Sequence, residues 1–564
     1  MNNKKIFQDN FCCSARTASS LIALKRRNNM KKKLLTIIIF LITSSLLISS
    51  EGKILKSFNL IIKKPTGLTF DGKAFWITDR LNAKVYKVSK NGKILKSFQA
   101  PGPWPIGIAY YNGKLWIADR ADKKAYLVSL DGKKIYKSIA IPARTPAGIS
   151  AVEDGLWVAT EKDKKIIKIS YTDGSILKEF KAPKYLNSIH VYNKKGDFFA
   201  SSRINDRIYR GSVKYGIFYF YFPVKYAYSW GIYYDGNSLW NLDQAGKTLN
   251  KVYYSERDNW IKGEVKDRII RYRNGIYNYG PGKIKDLEIY IALPENKYNQ
   301  KIEYTKYFYK GKEVKPNRML SDNTGQKYAY FKIKEVKAGE RVKVITEFRF
   351  KHWEVQAVLT PEKVKGEIPE NIKKIYLGDG ERFDYKNPYI KKKVKELLNG
   401  CDNYYMKVYK LYRFVGDSVT YKLYGGWEPA PIVLKRGSGS CSEYSFSFLA
   451  LLRAAGIPSR YVGTISRRGD DIGFDDVYHR WVEVYFPGFG WAPVDADAGD
   501  SENIDDQIFF YGGTKRRYLI TTRHVGPSPY LKWEYNSVMY WKTERRAKVY
   551  EDKVAEWYLP KNSR

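Results

Sequence analysis

The sequence predicts a multidomain protein, mainly β and then α+β: an N-terminal β-propeller of five or six blades, a central β-sandwich and a C-terminal α+β domain. Three observations carry this. Phrases recur through the first half at a spacing of about 40 residues, the length of a propeller blade. Long runs with strand-like alternation fill the middle. Helical periodicity enters only late, around "NPYIKKKVKELLNGCDNYYMKVYKLYRFV" and "EYSFSFLALLRAA". A chain of 564 residues is also too long for a single core.

Met30-Lys-Lys-Lys33 followed by "LLTIIIFLITSSLLISS" to Ser50 has the charged and apolar regions of a secretory signal. Ile48 at the −3 position makes a cut after Ser50 weak, so residues 34–50 could stay as an anchor, although about 17 apolar residues is short for a span. The expectation is a doubtful extension over 1–29, a signal peptide or anchor over 30–50, and a secreted or extracytoplasmic remainder touching a membrane only through that segment. Cys12 and Cys13 fall in the leader, leaving Cys401 and Cys441. Two cysteines are no disulfide framework, though a Cys401–Cys441 bridge would silence any thiol chemistry until reduced.

The formal net charge is +42, which favours acidic partners such as surface polymers. The lysines are scattered along strands without a dense basic block, and no nucleic-acid-binding motif is present. Nucleic acid is therefore not an expected partner.

The propeller is expected over 51–262. "GKILKSF" stands at Gly52–Phe58 and again at Gly92–Phe98, with degenerate copies from Gly132 and Gly174. Between them runs a second phrase, "GLTFDGKAFWITDR" from Gly67, with relatives from Gly107, Gly148, Ser188 and Gly231. Its aromatic anchors Trp76, Trp116, Trp157, Phe199 and Trp240 are spaced 40, 41, 42 and 41 apart. Short runs punctuated by Asp-Gly, Asn-Gly and Gly-Lys read as four strands per unit. This pattern resembles the NHL and SMP-30-like propellers. The chain opens with the fourth-strand phrase and the unit at 229–254 lacks it, so the N-terminal strand should complete the last blade and leave no open edge. Asp79-Arg80 and Asp119-Arg120 are either polar turn residues or the lining of a binding face. His190 is a packed or half-exposed strand ring.

Residues 263–368 read as an immunoglobulin-type sandwich, with "LEIYIALP", "KYAYFKIKEV" and "RVKVITEFRFKHWEVQAVL" as strands. His352 lies in one of them without an assigned role. A further, α+β domain is expected over 369–520. The tail 521–564, with His524, reads as strand and short helix without nameable chemistry.

"GSGSCSEYS" places Cys441 where a small-residue loop enters a helix that Gly456 and Pro458 end. A helix N-terminus favours a thiolate by about 0.3–1 kcal/mol, ~2 when partly buried. That is too little to ionise an ordinary thiol at neutral pH, so an imidazole partner is required. His479 stands in "VYHRWVEVYFPGFGWAPVDAD", two strands joined by a Gly/Pro turn. His479, Trp481 and Glu483 share one face. Asp495 and Asp497 join that face only if the loop around Gly488–Gly490 has an odd length or a bulge; a two- or four-residue turn would put alanines there.

Gly-x-Cys-x-Glu with "FLALLRAAGIPSRYVGT", then His-x-Trp-x-Glu-Val, then Gly-Trp-x-Pro-Val-Asp resembles the transglutaminase-like, papain-related core. The resemblance implies Cys441 as nucleophile, His479 as general base and Asp495 as orienter, with Asp497 as rival for the third role. Trp427 in "GGWEPAP" and Trp481 are candidates for the substrate channel or oxyanion site. It implies acyl transfer through a thioester, as a peptidase or amidase on a protein or peptide substrate, with cross-linking to an amine as the alternative. No cofactor or metal is expected, since no Asp-x-Asp-x-Asp-Gly calcium loop is visible. The propeller would serve as a platform for a surface polymer or protein. A silent surface-polymer-binding scaffold is the reading from another class.

Overall fold

The computed structural model describes residues 51–224, 228–423, 427–469 and 472–560. The expected extension and leader, with Cys12 and Cys13, lie outside these residues. No helix among the described residues is long and apolar enough to cross a membrane.

Five four-stranded antiparallel sheets make the propeller. The first runs Pro65–Phe70, Phe75–Asp79, Lys84–Val88 and Ile94–Gln99. The last takes Ser229–Tyr234, Leu239–Asp243 and Thr248–Val252 and is completed by Ile54–Asn59, which pairs antiparallel with Thr248–Val252. Each innermost strand neighbours the next, and the last neighbours the first, so the ring closes at five blades. The repeated glycines lie where inner strands touch. A Cβ on Gly67 would meet Ile108 N at 2.8 Å, on Gly107 Ala147 O at 2.6 Å, and on Gly148 Ser188 Cα at 2.5 Å. The anchor aromatics occupy equivalent registers, Thr69↔Trp76, Ala109↔Trp116, Ser150↔Trp157, His190↔Phe199 and Tyr233↔Trp240. All five are buried, which explains why an aromatic recurs there.

The sandwich packs a six-stranded sheet against a four-stranded one around Ile270, Ile289, Phe331, Val344 and Phe348. Its expected strands form as Ile284–Ala292, Lys327–Val336 and Arg341–His352. The segment 521–564 is not the appendage the sequence implied. Ser537–Thr543 pairs with Ile284–Ala292, and Ala547–Tyr558 pairs along Lys266–Pro281. The sandwich is therefore assembled from segments on both sides of the third region. The short helix expected in this tail does not form among the described residues, because alternation buries Met539, Ala555 and Trp557 in the sandwich core.

The third region places the helix Cys441–Ala454 against a four-stranded sheet ordered Gly490–Val494, His479–Phe486, Ser459–Ser466, Tyr518–His524. Helices Pro388–Leu398 and Tyr404–Ser418 flank it, broken at Gly400 as the sequence implied. This region covers the outer strand Ile217–Pro223 of the fourth blade, not a propeller face. Tyr219 packs on Tyr405 (5.4 Å between centroids) and Tyr221 on Phe509 (6.2 Å). Asp505 accepts hydrogen bonds from Arg207 (2.7 Å), Tyr209 (2.9 Å) and Asn205 (3.2 Å).

Candidate active site

Ser440 is the N-cap of the helix Cys441–Ala454, and its N–H donates to Glu443 Oε2 at 2.8 Å. Glu443 is fully buried and also accepts from Arg436 at 2.8 Å. The cap fixes the first turn, and Cys441, 4% exposed, sits at its tip. Both Cys401 and Cys441 are free thiols. The bridge between them is not formed. Cys401 instead lies just before the helix Tyr404–Ser418, with Sγ toward Asn403 O.

The loop between the strands of His479 and Asp495 has three residues, Pro487-Gly488-Phe489, because Phe486 pairs with Gly490. The odd length is the condition that puts the aspartates on the imidazole's face, and the register Val482↔Val494 carries it through. Gly488 makes the loop possible. Its φ is +80°, and a Cβ there would stand 2.8 Å from Lys365 O.

His479 Nε2 and Asp495 Oδ2 are 2.8 Å apart. Asp495 is held by its own N–H to Phe510 O (3.0 Å) and by Ala498 N–H on Oδ1 (3.1 Å). With Nε2 engaged, Nδ1 is the nitrogen left for the sulfur. Asp497 Oδ2 lies 3.9 Å from Nδ1, beyond hydrogen-bond reach, so Asp495 rather than Asp497 has the orienting geometry. Burial works against the charged ring, but Tyr518 and Asp495 nearby, with hydrogen bonding to Asp495 and Cys441, hold the imidazole well above its ordinary pKa. Burial pushes the Asp497 carboxyl up to about 7 against the pull of His479, with Asp495 and Asp500 adding to the rise. One donor atom from each of Cys441, His479 and Asp497 lies within 4.8 Å of the others. That set could hold a transition metal ion, which would block the thiol.

The sequence missed two aromatic residues. Tyr535 places its hydroxyl 3.7 Å from Cys441 Sγ and bonds Ser442 Oγ. Burial keeps that phenol protonated. Tyr518 stacks on the imidazole, with centroids 5.3 Å apart. Both come from segments remote from either motif, and nothing local to them signals a site. Trp427 packs edge-on against Tyr535 at 5.8 Å, one ring removed from the thiol. Trp481 does not line a channel. It is 2% exposed and packs against His479 and Tyr518, so it supports the imidazole from behind. On the opposite face of that strand Arg480 is fully buried among Trp427, Phe446, Tyr461 and Tyr535, 4.1–5.1 Å from their centroids. Among the remaining histidines, His190 rests on Tyr233 with Nε2 at Tyr234 O (3.1 Å). His352 is buried against Phe350 and Trp557, and His524 against Tyr461.

The transglutaminase-like superfamily model matches residues 391–496. Over 73 residues the chain is 37% identical to the uncharacterized protein YebA of Bacillus subtilis, covering 11% of this chain and 10% of that protein. The chain thus spans only 10% of the length of the curated relative it matches. A Cytophaga hutchinsonii structure provisionally named a cysteine protease aligns at 12% identity and a TM-score of 0.38, over 52% of this chain and 92% of that one. Virginiamycin B lyase of Staphylococcus aureus aligns at 22% identity and a TM-score of 0.25, over 34% and 66%. The chain carries a transglutaminase-like domain over residues 391–496, C-terminal to a five-bladed propeller.

Proposed function

We propose that the protein is an exported thiol peptidase or amidase that cleaves a carboxamide through a thioester on Cys441. The observation that carries this reading is that Asp495 bonds Nε2 of His479 while a ring nitrogen of His479 lies within 4.8 Å of a sulfur at a helix N-terminus. The Sγ proton rests on Nδ1 before attack, and the sulfur of that ion pair adds as thiolate to the amide carbonyl carbon. The resulting oxyanion is met by the Cys441 N–H at the open end of the helix. The C–N bond breaks as the imidazolium gives its proton to the departing amine. Water then loses a proton to Nδ1 and adds to the thioester, and the C–S bond breaks to restore the thiol. Asp495 keeps the ring in the tautomer and orientation both steps need.

Tyr421, 46% exposed, stands near enough to Cys441, Asp497 and His479 to feel their charges, and it marks the rim by which substrate enters. Access is narrow, since Cys441 itself is almost wholly covered. A flexible peptide or an extended side-chain amide fits such an entrance better than a folded surface. The propeller acts as a binding platform beside the catalytic domain.

The test incubates the purified full-length protein with an unfolded protein substrate, comparing it with Cys441→Ala. Cysteine-dependent appearance of new amino termini supports the peptidase, and ammonia release without new termini supports the amidase. Isopeptide-joined products without either would move the assignment to cross-linking. A Cys441 that reacts with iodoacetamide no faster than His479→Ala would leave the fold without this chemistry.

A further inference from the structure

The residue that follows the second strand is structurally equivalent in all five blades: Arg80, Arg120, Glu161, Arg203 and Gln244. Antiparallel pairing brings these positions to one mouth of the central channel, beside the starts of the innermost strands. Their backbone N–H groups bond Lys64, Trp104, Thr145, Asn187 and Tyr228 there. The acidic partners of the Asp-Arg pairs serve the turns. Asp79 accepts from the N–H groups of Lys64 and Leu81, and Asp119 from those of Trp104, Ala121 and Asp122. The arginines are left to the mouth.

Glu161 bridges Arg120 (2.9 Å) and Arg203 (2.7 Å). Arg80 has no ion pair among the described residues. Its guanidinium lies between Trp104 and Trp230, 6.0 and 5.4 Å from their centroids, and Arg203 covers the same Trp230 at 5.3 Å. Three guanidinium groups thus gather where there is one carboxylate, which pairs with two of them. Burial destabilises the Arg120 charge; Glu161 offsets this, while Arg203 and Arg80 oppose it, which reports how closely the three cations converge. Two buried donors at this mouth also lack acceptors, Arg120 Nη2 and the indole Nε1 of Trp230, a residue only 3% exposed. Unmet buried N–H donors beside excess positive charge call for a ligand that supplies acceptors and negative charge. Guanidinium groups match planar and tetrahedral oxyanions.

We infer that this mouth of the propeller binds a ligand through a carboxylate or phosphate group, held by Arg80, Arg120 and Arg203 over the floor of Trp230. The half-exposed Trp104 (38%) offers an aromatic wall for the rest of that ligand. This site is separate from the thiol and stands without it.

Calorimetric titration of the full-length protein at low salt, with inorganic phosphate in one arm and galacturonate trimer in the other, tests the inference. Saturable binding of either probe is expected, with tryptophan fluorescence changing in parallel. The arm that binds identifies the oxyanion. Arg80→Gln, which breaks no ion pair, should weaken it roughly tenfold or more, as loss of a charged hydrogen bond does. Lys137→Gln on an exposed outer strand should leave it unchanged. Should Arg80→Gln misfold, Arg80→Lys keeps the charge but loses the fork, and it should still weaken binding. Failure of both probes to saturate, or native affinity in a folded Arg80→Gln, overturns the inference.

Discussion

Replacing Asp495 by Asn removes the carboxylate to which the His479 ring donates at 2.8 Å while leaving the side chain's volume unchanged. Both groups are well covered, with side-chain exposures of 13% and 4%. A hydrogen bond to a charged group in that setting contributes about 1.5–3 kcal/mol. At about 1.4 kcal/mol per factor of ten, kcat/KM should fall by roughly one to two orders of magnitude, with KM little changed. The pH profile should move too. Asp495 is among the groups that lift His479 against the opposing effect of burial. Its neutral replacement lets the imidazolium lose its proton at lower pH, so the alkaline limb shifts toward acid. The rate of Cys441 alkylation by iodoacetamide across pH reports the same shift without a substrate. Asp497→Asn is the comparison, since Oδ2 there is 3.9 Å from Nδ1 and makes no hydrogen bond to it. If Asp497→Asn proves the deeper lesion while Asp495→Asn leaves rate and pH limb unmoved, the register-based assignment is refuted.

Zinc ions should inhibit reversibly by engaging Cys441, His479 and Asp497, with activity restored by chelator and inhibition weakened in Asp497→Ala; equal zinc sensitivity in that variant would exclude the three-residue site. Asp505→Ala leaves Arg207 and Tyr209 without their shared acceptor where the catalytic domain meets the fourth blade. Arg207 is partly exposed, so the expected loss is about 1–3 kcal/mol, read as a lower urea midpoint. Burial holds His190 down to about 4, and His352 and His524 to about 3. The unfolded chain binds these protons from about pH 6.5 downward while the native state does not, so unfolding takes up protons between about pH 6.5 and the folded values. Stability should therefore fall as pH falls through that window. His352→Gln should reduce the slope measured in urea titrations between pH 7 and 5.

The propeller was legible because its blades repeat, and each repeated residue meets the same physical demand. Glycines sit where inner strands touch, aromatics fill the gap between blades, and the missing fourth strand announces the closure. The thiol and the imidazole were legible for a related reason, since helix caps and strand alternation are local properties. Asp495 was only half legible. Two aspartates on one strand face are evident from alternation, but which is bonded depends on a three-residue loop and on where the strand ends at Val494.

Tyr535 and Tyr518 could not be read from the sequence at all. Their role is to stand beside Cys441 and His479, and that nearness is created by packing of segments up to 94 residues apart. The same holds for the arginine ring. Alternation and turn chemistry place each arginine at the end of its own strand, yet only closure of five sheets into a ring brings three like charges to one opening. Local periodicity therefore determined what each segment becomes, because backbone hydrogen bonding and burial act over a few residues. Tertiary packing decided which side chains meet, since proximity across a fold has no counterpart in chain distance.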